Sequence, residues 1–335
     1  MLEQVHPSLV GMCEERLERV TQWLEEQVSG ERLAGASVMI GRQGKISYLE
    51  AAGFADKEIA KPFSQDSVVR IFSMSKPITS VAAMMLYEQG CFQLDDPVAR
   101  YIPEFATTPV WRGGDASLDE TEAQTSPMLV KHLLSHTSGL TYGFMQSNVV
   151  DAEYRTQDIE FISYKDSLAD VVNRLAKIPL ISQPGSQWNY SVSTDVLGRL
   201  VEVWSGMRLA DFLQQRIFTP LQMHDTDFQV KAENQNRFSA LYGPANGVDM
   251  SSVGKAGLDL AKVEQRGLTL QEGSGKSRYF KTTTSDSGGG GLVGSIGDYG
   301  RFCQMLLNGG ELDGARLLSP TTVRFMRTNQ LPNDC

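Results

Sequence analysis

Two residues three positions apart, Ser73 and Lys76, could do nucleophilic chemistry together. Three residues is one helical turn, so a hydroxyl and an amine at this spacing share a face. Placed at the start of a helix, with the amide dipoles behind them, they supply a nucleophile and a proton acceptor. The surrounding stretch, Ile71 to Gly90, has helical periodicity: Ile78, Val81, Ala82, Met85 and Leu86 fall on one face and Gly90 follows as a stop. Pro77 fits only in the first turn, which puts the helix start close to Ser73. A second Ser-x-x-Lys, Ser252 to Lys255, sits among glycines and serines and reads as loop.

A serine nucleophile needs a base. Lys76 is one candidate, and Tyr190 in Trp188-Asn189-Tyr190-Ser191-Val192-Ser193 is another, on a turn ahead of a helix where a side chain can project into a cleft. A free phenol titrates near ~10, so its use as a base at neutral pH asks its surroundings for roughly 4 kcal/mol. A nearby ammonium and a helix N-terminus are groups of the kind that could supply it. Four consecutive glycines, Gly288 to Gly291, let the backbone pass close to a neighbour or take positive φ.

Several other patterns fail on their spacing. Gly273-Ser274-Gly275-Lys276-Ser277 ends like a phosphate-binding loop, but Leu270 stands where the first glycine is required. Val293 to Gly297 lacks the first glycine of a nucleophile elbow. His136 is the best of four histidines for a Ser-His-Asp arrangement, and His6, His132 and His224 lack a second metal ligand at helical spacing.

The elements that must position these residues follow from periodicity. Pro7 to Val28 forms a long amphipathic helix, and strands at 35–40 and 45–51 flank a hairpin turn at Gly41 to Gly44. From 91 to 219 the chain reads as helix and loop without a convincing strand. Strand-like segments resume at 226–230 and 238–242, residues 244–286 look irregular, and helices follow at 298–307 and after Ser319. This order suggests an α/β domain (1–90 and 220–335) split by a helical domain (91–219).

Composition narrows the partners. The formal charge of −9, with 41% hydrophobic and 21% charged residues, describes a globular chain that disfavours nucleic acid or anionic lipid as partner. No stretch of eighteen apolar residues suggests a membrane span. Cys13, Cys91, Cys303 and Cys335 have no metal-ligand spacing, and the N-terminus lacks the pattern of a secretory signal. The expectation is a cytoplasmic protein with reduced thiols, a small-molecule substrate and no cofactor or metal.

Ser73-Met74-Ser75-Lys76, Leu133 to Leu140 with its Ser-His-Thr-Ser-Gly core, Tyr190-Ser191 and Gly288 to Val293 stand in the order found in serine β-lactamase-like and penicillin-binding-protein-like hydrolases. From about residue 8 onward the chain resembles most closely the family VIII carboxylesterases, which are related to class C β-lactamases. That resemblance implies a mixed α/β fold, with an antiparallel sheet flanked by helices beside an all-helical domain. It implies Ser73 as acylated nucleophile, Lys76 as proton relay and Tyr190 as general base. The backbone N–H of Ser73 would supply half of the oxyanion hole, with Gly289, Gly290 and Gly291 on the substrate side. Val192 stands where β-lactamases carry an amide-binding asparagine, which favours esters over lactams. The family's third motif, a Lys-Thr-Gly or its variant on a late strand, has no counterpart before Cys335, which points to a fragment or to a weak or dead enzyme. The expected activity is a carboxylesterase on short acyl esters. The alternatives are an acyltransferase with the same site, a β-lactamase or D-Ala-D-Ala peptidase, and a truncated acyl-binding protein.

Overall fold

The computed structural model describes residues 2–245 and 267–331. The chain opens with a short 3-10 turn, Pro7–Val10, and then α1, Glu14–Ser29. The single long helix expected here is broken at Gly11, whose left-handed φ of 67° ends the first turn. Strands β1 (Gly35–Arg42) and β2 (Lys45–Asp56) form an antiparallel hairpin, turned by Gln43 and Gly44 at positive φ, and β3 (Lys61–Pro62) extends it. β4 (Val68–Arg70) leads through a 3-10 turn, Phe72–Met74, into α2, Ser75–Glu88.

Helix α2 is buried on nearly every side, from Ile78 through Leu86, as a helix apolar all round must be. The two-residue strands β5 (Val110–Trp111) and β6 (Thr121–Glu122) pair within the stretch read as helix and loop. Next come α3 (Val130–Leu134), α4 (Val149–Thr156), α5 (Leu168–Leu175) and α6 (Ser193–Ser205), then α7 (Leu209–Leu213), which runs on as a π-helical turn to Phe218. Core side chains of α2, α5, α6 and α7 belong to one apolar cluster that also takes in Phe228, Leu292 and Phe302.

Residues 226–230 form no strand; Asp227 makes one isolated bridge to Val293. The later strand begins at Leu241: β7 (Leu241–Pro244) pairs with β8 (Leu268–Glu272), inside a stretch that looked irregular. β9 (Val293–Ser295) pairs antiparallel with β4 and runs directly into α8 (Ile296–Leu307). A small hairpin, β10 (Glu311–Leu312) and β11 (Ala315–Arg316), precedes α9 (Pro320–Met326), capped by Ser319. Among the described residues no helix is long and apolar enough to cross a membrane. Ser252 to Lys255 lie outside the described residues, as does Cys335.

Candidate active site

The β4–β9 ladder delivers Ser73. Its last pair, Arg70 with Val293, is prolonged by the Ile71 N–H bonding to the Leu292 carbonyl at 3.0 Å. The buried Ser75 hydroxyl accepts the Leu292 N–H at 3.2 Å, which ties the start of α2 to the segment after the four glycines. Ser73 therefore lies in the 3-10 turn just before α2 rather than in its first turn, and Phe72 takes a positive φ of 42° to make the bend. The shift leaves the spacing intact, since Lys76 Nζ lies 3.2 Å from Ser73 Oγ. Ser73 itself is exposed.

Tyr190 is brought in from the opposite wall. Asn189 fixes its turn, with its N–H on the His136 carbonyl at 2.8 Å and its side-chain amide on the Leu140 carbonyl at 2.9 Å. Behind it a buried hydroxyl chain, Ser138 to Ser193 to Ser191, spans 2.7 and 2.8 Å. Tyr190 Oη consequently meets Ser73 Oγ in a hydrogen bond and lies 2.9 Å from Lys76 Nζ. The third contact of the ammonium is the Gly289 carbonyl at 2.7 Å. An ammonium has three donors, and here three oxygens accept them.

The four glycines serve close approach, since none of them has positive φ. A Cβ on Gly288 would lie 2.9 Å from the Thr194 carbonyl, and one on Gly289 would overlap the Asp195 carboxylate. Their N–H groups are occupied within the protein: Gly289 donates to Asp195 Oδ1 at 2.9 Å, and Gly290 and Gly291 both point at the Ser287 carbonyl. The oxyanion-side role expected for these three glycines is thus not the arrangement found. Val192 is only 2% exposed at the start of α6, where its side chain joins the core instead of facing a substrate.

A row of aromatic rings runs past Tyr190. Phe144 stacks on Tyr142 at 4.6 Å, Tyr142 and His136 each lie 5.2 Å from the Tyr190 ring, and Trp188 is 6.4 Å from His136. Both ends are open, Phe144 and Trp188 each being 38% exposed. The loop carrying Tyr142 and Phe144 is anchored by buried Asp151, which accepts from Thr141 Oγ1 at 2.7 Å and from both the N–H and hydroxyl of Ser147 at 2.8 Å. Burial, then the positive Lys76, drives the His136 imidazole down to about 4, so it is neutral at physiological pH. Burial pushes the Tyr142 phenol well above its ordinary range, with a smaller push from the Asp195 charge.

Ser73, Lys76 and Tyr190 are brought together; Val192 is set aside in the core. Sequence reasoning did not single out Tyr142, Phe144 or Asp195. Asp195 had a signal that was easily discounted: an acidic residue in a first helical turn is usually explained by the dipole alone.

Comparison with known proteins adds the relatives. Esterase EstB of Burkholderia gladioli is 34% identical over 284 residues, covering 84% of this chain and 67% of that protein. Monacolin J acid methylbutanoyltransferase of Aspergillus terreus is 29% identical over 270 residues, 79% of this chain but 58% of the transferase. Among solved structures, EstCE1, a hydrolase with promiscuous acyltransferase activity, matches with a TM-score of 0.72 at 28% identity, over 92% of this chain and 75% of that one. The mixed helix-and-sheet architecture is accordingly the β-lactamase/transpeptidase-like fold. Residues 20–334 match the Beta-lactamase family model, and on that span the protein belongs to the Beta-lactamase family.

Proposed function

We propose that the protein is a serine carboxylesterase that cleaves small neutral esters through an acyl-enzyme on Ser73. The observation that carries this reading is the three-way contact of Lys76 Nζ, Ser73 Oγ and Tyr190 Oη, with the Gly289 carbonyl as the ammonium's third acceptor. Lys76 donates to both oxygens, and in the reactive form the Ser73 hydroxyl donates to a Tyr190 phenolate. Tyr190 takes that proton as Oγ attacks the ester carbonyl carbon. The tetrahedral intermediate then expels the alcohol, which leaves with the proton held by Tyr190. Water repeats the sequence on the acyl-enzyme: Tyr190 accepts its proton, the acid departs and Ser73 Oγ recovers the proton. Lys76 remains an ammonium throughout.

The aromatic row, with Lys76 the one cation hydrogen-bonded to Ser73 or Tyr190 among the described residues, favours a neutral, apolar ester. The esterase relative supports hydrolysis. The transferase relative, together with the exposure of Ser73, favours a second reading in which an alcohol replaces water as acceptor. Both readings are tested by Ser73→Ala with p-nitrophenyl acetate: nitrophenol release should fall to the uncatalysed rate. Release at the parent's rate would remove Ser73 from the mechanism. Adding a primary alcohol to the parent enzyme and quantifying ester against acid then separates transfer from hydrolysis.

A further inference from the structure

Asp195 sits in the first turn of α6, at only 2% exposure, and touches neither Ser73 nor Tyr190 among its hydrogen bonds. Its Oδ1 accepts from the Ser287 hydroxyl at 2.6 Å and from the Gly289 N–H at 2.9 Å. Gly289 faces two ways: its N–H meets Asp195, and its carbonyl meets Lys76 Nζ at 2.7 Å. A buried carboxylate is costly to keep. If hydrogen bonding to the glycine loop were the whole task, a neutral amide would do it more cheaply.

We propose that Asp195 is the positioning residue of the Ser73 site, a buried negative charge that acts on Lys76 through Gly289. It fixes the carbonyl that holds the ammonium, and its field favours the protonated form of Lys76 on which Tyr190 relies as base. The inference rests on the reading of Ser73, Lys76 and Tyr190 given above.

Three observations support it. First, burial holds the Asp195 carboxyl above its ordinary range, and the two donors and the charge of Lys76 act against that rise, so the carboxyl lies within the field of the ammonium. Second, Gly289 has no room for a side chain, because its Cβ would lie 2.9 Å from Asp195 Cγ. Third, the loop has no slack: Thr79 Oγ1 donates to the Gly288 carbonyl at 2.8 Å, and the Gly291 N–H bonds to the Ser287 carbonyl at 2.9 Å. The other groups facing the ammonium are Ser73 Oγ, Tyr190 Oη, the Tyr142 ring at 5.5 Å and His136. With His136 neutral and the Tyr142 phenol protonated, the Tyr190 oxygen and Asp195 are the groups of this set that carry negative charge, and Asp195 is the one that takes no part in proton transfer.

Asp195→Asn tests the charge by itself, since the amide oxygen can accept from both Ser287 and Gly289. With p-nitrophenyl acetate, kcat should fall about tenfold or more while KM stays within about twofold, and the alkaline edge of the pH–rate profile should move down by about one pH unit. A variant that keeps the parent's kcat and alkaline edge would overturn the proposal. If Asp195→Asn does not fold, judged by circular dichroism, Gly289→Ala attacks the same link from the other side and should give the same fall in kcat and displaced edge; an undisplaced edge overturns the proposal there. Ser73→Ala in parallel keeps the two claims apart. Activity surviving in Ser73→Ala removes the reading of the site, whereas its loss alongside a parent-like Asp195→Asn removes this inference alone.

Discussion

Replacing Tyr190 by Phe deletes one oxygen and leaves the ring where it is. The ring is held by His136 and Tyr142 at 5.2 Å each, and Lys76 Nζ lies 4.7 Å above it, contacts that do not involve the hydroxyl. What disappears is the acceptor for Ser73 and one of the three acceptors for Lys76. A positioned general base contributes about 10²–10⁴-fold, so kcat/KM should fall about a thousandfold, or roughly 4 kcal/mol of transition-state stabilisation. Folding should suffer much less: one hydrogen bond to a charged group is worth about 1.5–3 kcal/mol at most, and the half-exposed ammonium can take water in place of the phenol. Lys76→Met should cost a comparable factor in rate, because the phenol then loses its cationic partner. The informative variant is the double one. If Ser73, Lys76 and Tyr190 act as a unit, Tyr190→Phe with Lys76→Met should be no slower than the worse single, a coupling of about 4 kcal/mol. Initial rates on p-nitrophenyl acetate, normalised by active-site titration with a fluorophosphonate, measure all four corners. Tyr190→Phe retaining more than a tenth of the parent's kcat/KM, or losses that multiply in the double variant, would refute the proton circuit.

Two further outcomes follow from the surroundings. The fold holds His136 neutral while the unfolded chain protonates near 6.5, so its contribution is complete above that pH and drains away as pH falls toward about 4, by up to about 3 kcal/mol. His136→Asn tolerates the φ of 57° at that position and should flatten the dependence of the urea midpoint on pH between those limits; equal slopes in parent and variant would contradict it. Phe144→Ala and Trp188→Ala remove the open ends of the aromatic row. Each should raise KM for a naphthyl ester about three- to tenfold, the loss of roughly 1 kcal/mol of apolar contact, while leaving p-nitrophenyl acetate nearly unchanged; equal effects on both substrates would argue against a binding role.

The three residues that meet at the candidate site were legible in the sequence because their relation is local or lies beside a local signal. Ser73 and Lys76 are one turn apart, and Tyr190 precedes a helix that its neighbours announce. Even so the helix begins at Ser75, because Ile71 is drawn into the β4–β9 ladder and the chain must bend at Phe72 before it can coil. Long-range partners left no comparable trace. Nothing near Leu268 to Glu272 says that it will pair with Leu241 to Pro244, and it is a strand because that partner exists. The run Thr226 to Val230 has the composition of a strand but secures only one isolated bridge. The four glycines allowed two explanations, positive φ or close approach. Only the position of Thr194 and Asp195 behind them chooses the second.

Two residues were candidates for the base, and a Lys76→Met variant that keeps the alkaline edge of the parent's pH–rate profile would argue against the role proposed here for the ammonium. For Lys76 to take the proton of Ser73, it must arrive as a neutral amine with a lone pair directed at Oγ, leaving two donors for its neighbours. The Gly289 carbonyl at 2.7 Å can only accept and Tyr190 Oη at 2.9 Å can take a second donor, so the ammonium and the neutral amine both fit the three oxygens around Nζ. The hydroxyl of Ser73 contacts both Tyr190 and Lys76, the latter at 3.2 Å. The proposed mechanism gives the proton of Oγ to the phenol oxygen and leaves Lys76 beside it as the ammonium that stabilises a phenolate. On this reading Lys76 is an electrostatic partner whose proton stays in place, and loss of its charge should be felt at Tyr190.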